Sequence, residues 1–291
     1  KSVGVPGQLR MLGLAHKKHG KLSWDKLFAP AIRLADSGFR VSPRLFGLLT
    51  RLGRLMTLPD ARRYFFLEDG APKPVGHLIK NAPLAHTFRT IAARGTDAFY
   101  IGPLAADIVR TVNTAPTNPG TMTRADLAGY RPREREAICV PFQKHRVCGF
   151  PPPTSGGTTV LTILGLLDRL ELGATFDSTA TTHAFLEASS LAYADRAMYI
   201  ADPDFAPPPV GLLSPEYMDS RARLINPKRS MGEASAGQPP GFAVLAPDQS
   251  SELPSTSHLV AVDAAGNWVS MTQSIEFAFG SQLMVHGFLL N

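Results

Sequence analysis

Thr256 is the residue of this chain best placed to do chemistry. It stands where a polar, turn-rich stretch meets a patterned β-hairpin, in Pro254-Ser255-Thr256-Ser257-His258-Leu259-Val260-Ala261-Val262-Asp263. A threonine hydroxyl is a weak nucleophile unless a base sits beside it. One solution makes the threonine the first residue of a chain, so that its own α-amino group is the base. Thr256 is interior, so that chemistry requires a cut between Ser255 and Thr256.

The hairpin decides what faces Thr256. Residues 257–263 and 268–274 alternate as strands around a turn within Ala264-Ala265-Gly266-Asn267, where Gly and Asn tolerate positive φ. If Asp263 pairs with Trp268, Thr256 faces Ile275. If the loop is Ala264-Ala265-Gly266, Thr256 faces Ser274, with Thr272 and Glu276 diagonal to it. A one-residue slip swaps the faces, and the residues alone leave both registers open. Ser270, Thr272, Ser274 and Glu276 share one polar face, which is either an active-site wall or the plain solvent side of an antiparallel sheet. His258 falls on the same face as Thr256, as an orienting group or a packed strand histidine.

Other constellations are less specific. Pro151-Pro152-Pro153-Thr154-Ser155-Gly156-Gly157 precedes a helix. Ser155, Gly156 and Gly157 could offer main-chain N–H groups to an anion there, although a structural turn is the default. The Gly-Lys-Ser/Thr ending of a phosphate loop is absent. His183 and Glu187 are four apart on one helix, a spacing that suits two metal ligands but more simply a surface or capping interaction. Asp195, Arg196, Asp202 and Asp204 read as an ion-pair network around a Pro-rich turn. Cys139 and Cys148 lie in two β-like runs and read as buried free thiols rather than a disulfide.

The elements that must position these residues follow from periodicity and punctuation. Helices are expected over 8–19, 24–36 (capped by Ser23), 42–56, 83–94, 102–114, 158–170 and 181–200, with a capped turn at 123–127. Two strands centre on 138–140 and 146–148. Residues 60–80 read as a loop, and 225–255 as an exposed linker that leads to a reachable bond before Thr256.

With 291 residues, 44% hydrophobic and 19% charged, the chain has ample material for a core. No run of about 18 apolar residues spans a membrane, and no signal peptide opens the chain. The net charge of +6 is uneven: residues 1–65 carry +10 and the remainder −4. The basic charges are spaced along amphipathic helices, which favours a solvated face over nucleic-acid binding.

Together these pieces resemble the γ-glutamyltranspeptidase family. The resemblance runs through Val3-Gly4-Val5-Pro6-Gly7, Ala29–Ala35, Gly38–Ser42, Pro151–Gly157 and Ala192–Arg196 with Asp202–Phe205. Its most specific stretch is Thr256-Ser257-His258…Val262-Asp263…Gly266-Asn267…Phe279-Gly280-Ser281. The resemblance implies an α+β fold, the N-terminal-nucleophile hydrolase αββα sandwich, here incomplete at both ends. Residues 1–255 would belong to a large subunit and 256–291 would start a small one, together forming one αββα domain.

The same resemblance makes Thr256 the nucleophile of both self-cleavage and catalysis. Ser274 would hydrogen-bond it and Glu276 would meet a substrate ammonium, a charge-assisted contact. His258, Thr272, Ser155, Gly156 and Gly157 would support the site. The implied activity is γ-glutamyl transfer from glutathione or a related amide to an amino acid or water. No metal or organic cofactor, nucleic acid or membrane span is implied, and the location is periplasmic or secreted. The alternatives are a glutaryl (cephalosporin) acylase and a non-catalytic homologue. The family's substrate-carboxylate arginine falls upstream of Lys1, and its paired serines and Gly-Gly oxyanion donors fall after Asn291. One such donor is worth ~10²–10³ in rate, so the isolated 291-residue chain is expected to be inactive.

Overall fold

The computed structural model describes residues 3–175, 177–243 and 256–291, and it divides into two compact units. The first comprises residues 1–132 and 252–291, the second residues 133–251.

In the first unit the chain runs α1 (Gln8–His19), α2 (Trp24–Ser37), β1 (Phe39–Arg40), α3 (Pro43–Arg51), α4 (Pro59–Phe65), β2 (Leu78–Ile79), α5 (Ala82–Arg94), α6 (Asp97–Tyr100), α7 (Pro103–Asn113) and α8 (Arg124–Gly129). The capped turn at 123–127 is the start of α8. There Thr123 Oγ1 accepts from Asp126 N, and the Asp126 carboxylate takes the Thr123 N–H in return. The helix expected over 42–56 ends at Arg51 and continues as a 3₁₀ turn, Gly53–Thr57. The expected loop at 60–80 holds α4 and β2, because Pro59 at the first position of α4 starts a helix that buries Ala61 and Phe65. The core gathers Leu49, Leu55, Phe65, Ile91, Ile108, Val112 and Leu127 around Tyr100. The Tyr100 hydroxyl donates to Pro6 O at 2.5 Å and accepts from Arg10 N at 3.2 Å, which ties the first residues down. Burial pushes its pKa up to about 12.

Four strands return to this unit: β5 (Thr256–Val262) with β6 (Trp268–Ser274), and β7 (Met284–Val285) with β8 (Phe288–Leu289). The β7–β8 turn uses His286 (φ 48) and Gly287 (φ 84). Asn81, the N-cap of α5, donates from Nδ2 to Gly287 O at 2.8 Å and accepts Leu84 N at 3.0 Å. A Cβ on Gly287 would lie 2.3 Å from Asn81 Oδ1, so only glycine fits there.

The second unit contains β3 (Ile138–Phe142), β4 (His145–Gly149), α9 (Ser155–Leu167), α10 (Thr179–Tyr199) and α11 (Pro215–Ala222). Ala184, Ala188 and Ala192 form a small-residue stripe on α10 against Ile163, Leu166 and Leu167 of α9, with Met218 and Ala222 of α11 completing the core. Among the described residues the sheets are four two-stranded antiparallel pairs, and with eleven helices they give an α+β fold.

Two expectations fail in this unit. Cys139 and Cys148 form a disulfide. A two-residue turn at Gln143 (φ 51) and Lys144 sets them directly opposite each other across β3–β4, with Cα atoms 4.0 Å apart, and Cys148 is exposed rather than buried. Nor are residues 226–237 a free linker. Their polar groups bond to α10 and α11, so a composition that looks solvated is satisfied by protein. Residues 244–255, including Ser255, lie outside the described residues.

Candidate active site

The hairpin register follows from its turn. Asp263 accepts from Ala265 N and Asn267 N, both at 2.9 Å, and from Asn267 Nδ2 at 2.8 Å, while Gly266 sits at φ 80. Those donors hold the Asp263 carboxyl below the usual carboxylate range, the Asn267 side chain foremost. This closes a three-residue loop, Ala264-Ala265-Gly266, with Asp263 N donating to Asn267 O at 3.1 Å. Val262 then pairs with Trp268 and Thr256 with Ser274, the second of the two registers.

The shared face therefore carries Thr256, His258, Ser270, Thr272 and Ser274. Thr256 Oγ1–H donates to Ser274 Oγ at 3.3 Å. His258 sits between two hydroxyls, its Nδ1 2.8 Å from Thr272 Oγ1 and its Nε2 3.1 Å from Ser270 Oγ. Two hydroxyl partners fix the imidazole plane two residues from Thr256 on the same face. Alternation alone puts Ser270 on this face, while its contact with His258 follows from the register.

Glu276 does not continue the strand. β6 ends at Ser274, and Phe277 N donates to Ile275 O at 3.0 Å across a tight turn centred on Glu276. Its φ of 70 is a left-handed conformation unusual for a residue with a Cβ. Ser274 Oγ accepts from Glu276 N at 2.8 Å, so one hydroxyl meets both the candidate nucleophile and the backbone of the candidate ammonium contact. Such outliers cluster at functional sites, and no sequence signal announces this one.

The hairpin is tied to the body of its unit. Gln8 Nε2 donates to Gln273 Oε1 at 2.5 Å, and Ser274 and Ile275 line an apolar cavity of about 520 Å³ with Val5–Leu9, Phe28, Phe88 and Phe288–Asn291. Both faces of the β5–β6 hairpin are exposed, Thr256 with its polar neighbours on one and Leu259 and Val269 on the other.

Ser155, Gly156 and Gly157 open α9 in the other unit. A Cβ on Gly157 would meet Phe150 O at 2.1 Å, so this glycine lets the chain after β4 pass over the first turn of α9; Gly156 faces open space. His183 and Glu187 do not converge on a metal position: each binds the 226–237 segment. Among the described residues no group of three His, Cys, Asp or Glu side chains is arranged to hold a metal, and no helix is long and apolar enough to cross a membrane. Asp195 and Asp204 are not one network. Asp204 faces Arg133 and Arg135, whereas Asp195 is buried against Arg221.

Comparison with known proteins identifies the family. The family model for gamma-glutamyltranspeptidase matches residues 1–291. The glutathione hydrolase proenzyme of Bacillus subtilis (strain 168) is 34% identical over 302 residues, covering 100% of this chain and 51% of that protein. Among solved structures, the gamma-glutamyltranspeptidase of Helicobacter pylori has a TM-score of 0.72 at 30% identity, over 79% of this chain and 66% of that one. The cephalosporin acylase of Bacillus halodurans has a TM-score of 0.83 at 27% identity, over 99% of this chain and 51% of that one. This chain spans about half the length of the curated relatives it matches. The family-model match along all 291 residues, with a relative 34% identical over the whole chain, places the chain in the gamma-glutamyltranspeptidase family.

Proposed function

We propose that the protein is a γ-glutamyl transferase and glutathione hydrolase matured by self-cleavage before Thr256. The observation that carries this reading is the pairing of Thr256 Oγ1 with Ser274 Oγ at the first residue of β5, in a chain that belongs to this family throughout its length. In maturation the Thr256 hydroxyl attacks the Ser255 carbonyl. The acyl group moves from nitrogen to oxygen, and water hydrolyses the ester to release the Thr256 amine. That amine then serves as the base Thr256 lacks while it is interior.

In turnover the amine takes the hydroxyl proton as Oγ1 attacks the γ-amide carbon of the substrate. The leaving amine receives the proton, and the γ-glutamyl ester on Thr256 passes to water or to an amino acid. In the uncut chain Ser274 accepts from the hydroxyl; once the amine takes that proton, the Ser274 O–H turns to donate to Oγ1 and orients its attack, while His258 and Thr272 stiffen the face and Glu276 offers a carboxylate to the substrate ammonium. Ser155, Gly156 and Gly157 are assigned a supporting role. Residues up to Ser255 belong to the larger subunit of a heterodimer, and Thr256 begins the smaller. Neither metal nor organic cofactor takes part in these steps. The relatives' proenzyme names support the two-subunit assignment, and a periplasmic or secreted location accompanies this reading.

A glutaryl-amide acylase is the second reading, favoured by the likeness to the Bacillus halodurans acylase. Glu276 argues against it, because a glutaryl group carries no ammonium for that carboxylate to meet. Mass spectrometry of the full-length protein tests the first step: two fragments are expected, one beginning at Thr256, with a single chain in Thr256→Ala. Hydrolysis of glutathione against a glutaryl amide separates the two substrates. Turnover by an uncut chain, or by Thr256→Ala, would overturn the assignment.

A further inference from the structure

A second cavity of the first unit, about 490 Å³, lies between α4, the start of α5 and the β7–β8 turn. Arg63, Tyr64, Lys73, Lys80 and His286 are on its wall. The volume is that of a small-molecule site. It shares no lining residue with the apolar cavity beside Ser274 and Ile275.

Its charges are unbalanced. Lys73 is half-buried, and its ammonium donates to main-chain carbonyls, Tyr64 O at 2.6 Å and Arg63 O at 3.4 Å. An ammonium has three N–H donors, so one remains for the cavity. Burial pulls the Lys73 pKa below its ordinary value, as expected where no carboxylate lies close enough to oppose it. Lys80 is exposed, and its Nζ has no hydrogen-bond or ion-pair partner among the described residues. The one carboxylate on the wall, Asp60, is held by Arg63. Asp107, which meets His286 Nε2 at 2.6 Å, also takes Arg110 Nη1 at 2.7 Å. Neither acid is left to neutralise the lysines. The wall itself is fixed: the Tyr64 ring centre lies 5.9 Å from Lys73 Nζ, and the Tyr64 hydroxyl bonds the Asn81 side chain, which also caps α5.

A partly desolvated cation is costly until a counter-charge reaches it. We propose that this cavity binds a small molecule carrying at least two anionic oxygens, a phosphate or a polycarboxylate, with Lys73 and Lys80 as its charge contacts. One oxygen takes the spare Lys73 N–H in a charge-assisted bond. Lys80, on a flexible stem, reaches the ligand from the solvent side. The site is independent of the chemistry assigned to Thr256.

The test is calorimetric titration of the full-length protein with inorganic phosphate and, separately, with citrate, at matched ionic strength. Saturable one-site binding of at least one probe is expected. Phosphate alone marks a phosphate ligand, and citrate alone a polycarboxylate. Lys73→Gln should raise Kd about 10-fold, and Lys80→Gln, at an exposed position, about 3-fold. Lys80→Gln should leave kcat and KM for a γ-glutamyl anilide at wild-type values, which separates this site from recognition of the substrate's own carboxylate. Lys80 has no polar contact to lose, so this variant decides the matter if Lys73→Gln does not fold. Absence of saturable binding of either probe up to about 10 mM overturns the proposal. So does a Kd that Lys80→Gln leaves unchanged, or a KM that rises with it.

Discussion

Replacing Ser274 by alanine isolates what the partner hydroxyl does for Thr256. The Thr256–Ser274 contact, at 3.3 Å, is longer than the usual 2.7–2.8 Å of a hydroxyl–hydroxyl bond. It belongs in the lower half of the ~0.5–1.5 kcal/mol net range of a neutral hydrogen bond. At 1.36 kcal/mol per tenfold, about 0.5–1 kcal/mol corresponds to a 2–5-fold loss of rate. The second bond to Ser274, from Glu276 N, sits at an exposed strand end where water can replace it. It should add only a few tenths of a kcal/mol. In the proposed mechanism the same oxygen attacks in maturation and in turnover, so both rates should fall by a similar factor in the full-length protein. The assay is the half-time of fragment release together with kcat and kcat/KM for a γ-glutamyl anilide. Equal falls in kcat and kcat/KM mark an interaction felt in the transition state, whereas a rise in KM alone points to misplacement of Glu276. Ser274→Thr should restore the rates. Unchanged rates in Ser274→Ala, or a loss as complete as in Thr256→Ala, would refute the reasoning.

Breaking the Cys139–Cys148 bond by Cys148→Ser has a chain-entropy ceiling of about 2.6 kcal/mol for so short a loop. The hairpin pairing already restricts that loop, so a loss nearer 1 kcal/mol and a few degrees of Tm is expected, with non-reducing peptide mapping to confirm the bond. The Glu187 carboxyl is pushed up by burial, but the bonds from Ser230 and Met231 and the neighbouring His183 outweigh this and hold it below its ordinary value. Its contribution is therefore complete above the unfolded pKa and lost as pH falls through the lower folded one. Hydrogen exchange at Met231 N should accelerate in that acid window, and Glu187→Gln should remove the dependence. Gly287→Ala places a Cβ 2.3 Å from Asn81 Oδ1 at φ 84 and so disturbs the α5 cap. A loss of about 2 kcal/mol or more is expected by thermal denaturation, against near-neutral behaviour for Gly129→Ala, where nothing lies within 4 Å.

What could be read from the sequence follows the range of the interactions involved. The helices α1, α2, α5 and α10 are set by apolar spacing and by local stops such as Gly20, Gly38 and Gly95, all within a few residues. The hairpin was half legible. Alternation gave its faces, but the choice of register rests on the Asp263 carboxylate collecting donors from Ala265 and Asn267, a pattern that two acceptable turns leave undecided. The cysteines were misread for the same reason: only the Gln143-Lys144 turn makes positions 139 and 148 opposite, and β-like runs read as interior hide an exposed edge. The segment 226–237 was least legible. Its Ser, Gly and Lys content describes a chain that water could satisfy, while the carboxylates that hold it come from α10 and the guanidinium from α11. Ser274 and Thr256 meet across eighteen residues of local hairpin, so motif and turn together reach them. Gly237 and Asp195 are forty-two residues apart and meet only because α10 and α11 have packed, so the anchoring of this segment is visible only in the folded chain. The division has a consequence for mutation. Changes at the hairpin should act where Thr256 and Ser274 meet, and changes at the α10 carboxylates on how firmly residues 226–237 are held within the second unit.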